Sequence, residues 1–259
     1  MNYQKVIEIA KLAGEKIVEI YNSDFAIYQK SDMSPLTEAD VAAHNTITSE
    51  LKKLHPVIPI ISEEGNQIDW TERRSWDEYW LVDPLDGTKE FLNRNGEFTV
   101  NIAHIQNGKP VWGVVYVPVS KVLYFGGAKT GSSKISDGIL HKIQVSAMKS
   151  NNREWILVGS RSHNSKEFVK FANKFEQPEI ISMGSSLKIC MVAEGLADLY
   201  PRFGLTSEWD TAAAHAILQG AGGILIEINS SLPVEYNKKN SLLNPFFIAA
   251  NGASKIWAE

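Results

Sequence analysis

The chain has 259 residues, of which 44% are hydrophobic and 22% charged, with a formal net charge of -4. That length can bury a large core as one domain or two intimate subdomains, and the acidic balance argues against nonspecific binding to nucleic acid or an anionic membrane. The single cysteine, Cys190, excludes an internal disulfide and a thiolate zinc cluster and suits a reducing compartment.

No apolar run approaches the ~20 residues of a membrane span, and charges interrupt the opening residues too early for a signal peptide. The expected location is the cytoplasm. Over residues 6–21, Val6, Ile7, Ile9, Ala10, Ala13, Ile17 and Ile20 recur at helical spacing and predict an amphipathic helix. Residues 30–35 form a polar, turn-rich loop. Thr37 then reads as an N-cap with an acid at Asp40, opening a helix that runs to about Leu54. Residues 57–61 predict a short strand ending in Ser62-Glu63-Glu64-Gly65. Tyr79-Trp80-Leu81-Val82 has the aromatic and β-branched content of a buried strand. It ends in two acids, Asp83 and Asp86, and then Gly87-Thr88 and residues able to open a helix.

Beyond this stretch, residues 98–105 and 111–117 predict a hairpin around Asn107-Gly108. Residues 122–125 and 139–145 continue the antiparallel region around a Gly/Ser/Lys-rich loop, and residues 126–138 match no motif and receive no role. From about residue 148 the pattern changes to strands at 155–158, 224–228 and 246–250 and helices at 165–175, 187–194 and 208–219. The first part reads as α+β and the second as α/β, which predicts subdomains 1–147 and 148–259.

An acidic strand end feeding a helix N-terminus joins two tools. Carboxylates hold hard cations, while free amides and the positive end of the helix dipole hold an anion. Carboxylates end apolar elements at Glu63/Glu64, Asp83/Asp86, Asp210 and, more weakly, Asp40. Taken singly, each also fits as a turn former or cap, with Asp210 serving the helix dipole and Asp40 completing a capping box with Thr37. Taken together beside Gly87-Thr88, they point to metal next to phosphate. Oxygen-only ligands without a His or Cys cluster favour Mg2+ over Zn2+. Ser160 and Ser162 lack the context of a nucleophile elbow, His163 reads as a surface-loop residue, and no P-loop is present.

Asp83-Pro84-Leu85-Asp86-Gly87-Thr88 with Phe91, Glu63-Glu64 upstream and Trp209-Asp210-Thr211-Ala212-Ala213 downstream resemble the signature of the inositol monophosphatase superfamily. Residues 30–40, 86–102, 160–163 and 184–195 are similar, more narrowly, to its bacterial bisphosphate nucleotidase branch. The resemblance implies a layered α/β sandwich with alternating α-β-α-β-α layers. It further implies a Mg2+-dependent, lithium-sensitive phosphatase using two or more metal ions and acting on a small nucleotide bisphosphate. On it, Glu63, Asp83, the carbonyl of Leu85, Asp86 and Asp210 match metal ligands. Glu63 and Thr88 match the residues that position the attacking water, with Asp40 as partner of Thr88. Gly87 and Thr88 would offer amides to the scissile phosphate, which Glu63, Leu85, Asp86 and Asp210 also border. Ser185, Lys188 and Arg202 fall where relatives contact the second phosphate and sugar, and His163 falls near the adenine side.

The implied substrate is adenosine 3',5'-bisphosphate, with the 2' isomer and the sulfated nucleotide as variants. The alternatives are a phosphatase of inositol phosphate or another small polyol phosphate, and a nonenzymatic binder on the same fold. Monomer and dimer both fit the sequence, as do a cytoplasmic enzyme and one resting on the inner face of the cell membrane.

Overall fold

The computed structural model describes residues 1–24, 27–29, 35–160 and 165–255. The chain opens with α1 (Tyr3–Tyr21), which buries Val6, Ile7, Ile9, Ala10, Ala13 and Ile17 as their spacing predicts. A short antiparallel ribbon, β1 (Ile27–Gln29) and β2 (Pro35–Thr37), precedes α2 (Glu38–Leu54). Then come β3 (Ile60–Ser62), α3 (Trp70–Arg73), β4 (Glu78–Asp86) and α4 (Thr88–Leu92). β5 (Thr99–Gln106) and β6 (Lys109–Val117) form the predicted hairpin. Asn107 and Gly108 both take positive φ, 52° and 76°, as a tight hairpin turn of matching twist demands.

The antiparallel region continues through β7 (Val122–Gly127), β8 (Gly131–Ser136) and β9 (Ile139–Ile143). Here the structure corrects the expected loop, because its middle is a strand. β8 pairs with both neighbours near the sheet edge and buries little beyond Ser132, so Ser and Lys are tolerated where a core strand needs apolar residues. The later part contains β10 (Ile156–Ser160), α5 (Lys166–Ala172), β11 (Glu179–Met183), α6 (Leu187–Ala193), β12 (Leu199–Arg202), α7 (Glu208–Gly220), β13 (Ile224–Glu227) and β14 (Phe247–Ala250). β11 and β12 were not predicted: the first is a largely exposed edge strand, and the second is four residues long and contains Pro201.

Strands β3 to β9 form one sheet in sequence order, and β11-β10-β12-β14-β13 form a second. Alternation along the strands assigns their faces. Trp80, Val82, Val100, Ile102 and Val114 pack against α1 and α2. Tyr79, Leu81, Ala103, Ile105 and Val115 face the opposite way, onto α6 and α7. The far side of that helical layer meets Val158, Tyr200, Leu225, Phe247 and Ala249 of the second sheet. The outer face of the second sheet, with Leu157, Leu199, Ile226 and Ile248, packs on Phe168 and Phe171 of α5. The order is therefore α, β, α, β, α, as the sequence resemblance implies. The central layer, α6 and α7, is shared by both sheets.

Candidate active site

Three acids of the site, Glu63, Asp83 and Asp86, hang on the sheet face that looks at α7. Ile61 of β3 and Leu81 of β4 point to that face, so Glu63 and Asp83, each two residues further on, do so as well. The amide of Glu63 donates to the carbonyl of Val82 at 3.1 Å, extending the parallel β3–β4 register and setting Glu63 beside Asp83. Asp86 needs a different device, because residues three apart on a regular strand face opposite ways. Asp83 pairs with Asn101 and Asp86 with Thr99, so three steps on β4 match two on β5. This bulge returns Asp86 to the face of Asp83.

Asp210 arrives from the opposite side on the first turn of α7. Its Oδ2 accepts from the amide of Ser207 at 2.9 Å, so the capping role proposed for a lone acid is real. The N-terminus of α7 is fixed by the loop of residues 237–244: Glu208 N–H donates to the Leu242 carbonyl, Asn244 Nδ2 to the Ser207 carbonyl, and Asn237 N–H to Glu208 Oε2. One oxygen each of Glu63, Asp83 and Asp210 lies within 4.8 Å of the other two.

Asp83 is 1% exposed. Burial first, then the charges of Glu63, Asp86 and Asp210, hold it well above the usual carboxylate range. Burial, then Asp86 and Glu63, does the same to Asp210, against the amide of Ser207 and the charge of Lys188. At this separation each ionised pair repels by roughly 3–4 kcal/mol for an effective dielectric of about 20. Three ionised carboxylates so placed require a cation, and an all-oxygen donor set suits a hard divalent one. The residues fit the metal that the sequence implied.

Asp86 stands beside the triad. Its Oδ2 accepts from the amide and hydroxyl of Ser186, at 2.6 and 2.7 Å, and from Asn101 Nδ2 at 3.3 Å. Its charge is felt by both Asp83 and Asp210. The carbonyl of Leu85 sits between the two β4 acids, and the amide of Leu85 donates to Asp83 Oδ1 at 3.1 Å. Gly87 takes φ 93° and ψ 44°, which turns the strand into α4. The first helical bond runs from Phe91 N–H to the Gly87 carbonyl, so the amides of Thr88, Lys89 and Glu90 precede any acceptor within the helix. Asp40 Oδ2 accepts from the amide and hydroxyl of Thr37, at 2.7 and 2.6 Å, so it caps α2, and its charge reaches Asp83.

Asp86, Gly87, Ser185, Lys188, Arg202 and Asp210 line one cavity of about 230 Å³. Ser185, in the left-handed region at φ 52°, turns the chain into α6. Lys188 Nζ donates to its carbonyl at 2.6 Å and lies 5.5 Å from the centre of the Tyr200 ring. Burial pushes the Lys188 ammonium below its ordinary value, Arg202 adds to this, and Asp86 opposes it. Arg202 donates from one terminal nitrogen to the Leu205 carbonyl at 3.1 Å, while its Nε has no partner among the described residues. His163 lies outside the described residues.

Sequence reasoning missed Ser186 and Asn101, which hold Asp86, and Glu97, whose Oε2 accepts from the Gly184 amide at 3.0 Å. A strand-internal Asn and the second of two turn serines carry no signal of their own; only the paired register exposes them.

Fold and site together define a layered α/β protein with a cluster of carboxylates that could hold a metal ion at the end of an inner strand. Residues 2–258 match the inositol monophosphatase family. Over 246 residues the chain is 46% identical to the 3'(2'),5'-bisphosphate nucleotidase CysQ of Salmonella typhimurium, covering 94% of this chain and 97% of that protein. It is 45% identical to the protein of the same name from Escherichia coli K12, again covering 94% and 97%. Among solved structures, CysQ from Bacteroides thetaiotaomicron superposes with a TM-score of 0.84 at 45% identity, over 96% of each chain. The chain belongs to the inositol monophosphatase family.

Proposed function

We propose that this protein is a phosphomonoester hydrolase that removes the 3'-phosphate of adenosine 3',5'-bisphosphate to give AMP and phosphate. The step belongs to the sulfate assimilation that produces this nucleotide, and the sulfated nucleotide is a second substrate. One observation carries the reading: Lys188 and Arg202 share a cavity with Asp86, Gly87 and Asp210. A second fixed anion site thus opens directly beside the acids that would hold metal. The names of its relatives point the same way.

In this reading Glu63, Asp83, Asp86, Asp210 and the Leu85 carbonyl hold two or more Mg2+ ions. Bound there, Mg2+ neutralises phosphoryl charge and acidifies water. Glu63 and Thr88 orient the attacking water, and Asp40 steadies that end of the site from the α2 cap. The amides at Gly87 and Thr88, at the positive end of α4, receive the phosphoryl oxygens. Water attacks phosphorus in line as the bond to the 3'-oxygen breaks, so no side chain becomes phosphorylated. Ser185, Lys188 and Arg202 hold the 5'-phosphate and sugar, and His163 approaches the adenine. A net-negative chain binds a polyanion because these cations act at close range.

No helix among the described residues is long and apolar enough to cross a membrane; the cytoplasm is the proposed place of action. The decisive test compares kcat/KM for adenosine 3',5'-bisphosphate and inositol 1-phosphate in Mg2+, with and without Li+. The bisphosphate is expected to win by more than tenfold, and Li+ to inhibit. Equal or better turnover of inositol 1-phosphate refutes the substrate assignment.

A further inference from the structure

The hydrogen bonds between the two halves of the site have a forced direction. The carboxylate of Asp86 can only accept, so the Asn101 atom 3.3 Å from its Oδ2 is the amide nitrogen. The amide oxygen of Asn101 then faces Thr99 Oγ1 at 2.9 Å, and the Thr99 hydroxyl must donate to it. With that proton committed, Thr99 Oγ1 accepts from Ser185 Oγ at 2.7 Å. A directed chain therefore runs from the specificity turn to the metal-site acid: Ser185 to Thr99, Thr99 to Asn101, Asn101 to Asp86.

Ser186 closes the loop. Its hydroxyl accepts from Asn101 Nδ2 at 2.7 Å and lies 2.7 Å from both Asp86 Oδ2 and the Asp210 carbonyl. One side chain, 3% exposed, thus touches β4, β5 and the first turn of α7. Among the described residues, the hydrogen bonds to Asp86 from Asn101 and from the amide and hydroxyl of Ser186 all fall on Oδ2.

We infer that Ser186 and Asn101 are positioning residues: they occupy Oδ2 of Asp86, present its Oδ1 to the metal site, and lock the Gly184–Ser186 turn to that geometry. The inference rests on the phosphatase reading of the site. It has a corollary for Ser185, whose hydroxyl proton is already committed to Thr99. Ser185 therefore meets a phosphate through its backbone amide or not at all.

The test titrates Mn2+ into the full-length protein, follows the free-ion EPR signal, and measures the Mg2+ dependence of turnover in parallel. Ser186→Ala is expected to weaken Mn2+ binding by ~10- to 100-fold, the range for losing a group that orients a metal ligand. Turnover at saturating Mg2+ should change far less than the Mg2+ concentration required. Ser186→Thr, which keeps the hydroxyl, should restore affinity, and Asn101→Leu should repeat the loss. Wild-type Mn2+ affinity in folded Ser186→Ala, or no recovery in Ser186→Thr, overturns the inference. Failure of Ser186→Ala to fold also overturns it, since the residue is then structural. If the wild-type protein itself binds no Mn2+, the phosphatase reading fails instead.

Discussion

Asp83 and Asp86 are three residues apart on β4 yet share one face of the sheet, because their partners Asn101 and Thr99 are only two apart on β5. The bulge builds the site, and it also concentrates buried negative charge that the fold does not neutralise. Asp83→Asn keeps the shape and removes one charge. It should cost at least ~10³-fold in turnover, since metal-held charge stabilisation is worth several kcal/mol. The metal-free variant should be more stable than wild type by roughly 1–3 kcal/mol, because it removes a carboxylate that Glu63, Asp86 and Asp210 repel. Activity assays and urea unfolding in EDTA check both. Retained turnover would remove Asp83 from the centre.

Metal-free protein should lose stability as pH rises. Burial and mutual repulsion hold Asp83 and Asp210 well above the usual carboxylate range, and burial pushes Glu208 up to about 7. Between unfolded values near ~4 and these raised folded values, the native state binds more protons than the unfolded one. The unfolding free energy therefore falls as pH climbs through that window. A cation needs the ionised acids, so the rise in Tm caused by Mg2+ should grow with pH over the same window. Thermal melts in EDTA and in Mg2+ at a series of pH values between about 5 and 8 decide this; a pH-independent Mg2+ shift would contradict the assignment.

The helices, most strands and the acids were legible in the sequence because each rests on a local pattern, whereas the layered order came from the family resemblance. α1 shows helical periodicity, Thr37 shows its cap, and Asp83 and Asp86 end an apolar run. What stayed hidden depends on partners far along the chain. β8 survives as a strand of Ser and Lys because its neighbours supply the pairing. Asn101 and Ser186 matter only because a bulge and a turn meet across 85 residues of sequence. Gly113 is a third case, inconspicuous in β6, where an added Cβ would stand 2.3 Å from the Ala213 carbonyl of α7.

Gly113→Ala should accordingly push α7 off the sheet. Backbone, not a flexible side chain, occupies the space, so an overpacking cost of about 1–3 kcal/mol is expected. Asp210 moves with the helix, and Mg2+ affinity should fall together with stability. A variant with wild-type Tm and wild-type Mg2+ affinity would show that α7 has room to spare.

His215, 1% exposed on α7, should stay neutral well into acid, since burial pushes it down to about 3. The Gln219 amide nitrogen 3.0 Å from Nε2 can only donate, so the ring proton sits on Nδ1 and is given to Tyr236 Oη at 2.9 Å. The unfolded ring titrates near ~6.5, so between there and about 3 the unfolded state holds the extra proton. Stability from the neutral ring is complete above ~6.5 and lost as pH falls through that window. The stability gap between wild type and His215→Asn should shrink by about 1.4 kcal/mol for each pH unit descended. Urea titrations at matched pH test it, and a constant gap would refute burial of a neutral imidazole.

Specificity should separate from chemistry at Lys188. Its ammonium holds the Ser185 carbonyl and lines, with Arg202, the cavity that reaches Asp210 of the triad. Removing a charged hydrogen-bonding group costs about 1.5–3 kcal/mol, or roughly 10- to 150-fold. Lys188→Ala should therefore lower kcat/KM for adenosine 3',5'-bisphosphate by that factor and leave a simple monophosphate nearly unchanged. Lys188→Arg, which keeps the charge, should recover part of the loss. The ratio between the two substrates is the informative quantity, because damage to the turn itself would lower both. Equal losses on bisphosphate and monophosphate would make Lys188 a brace for Ser185 and return the question of the second phosphate to Arg202.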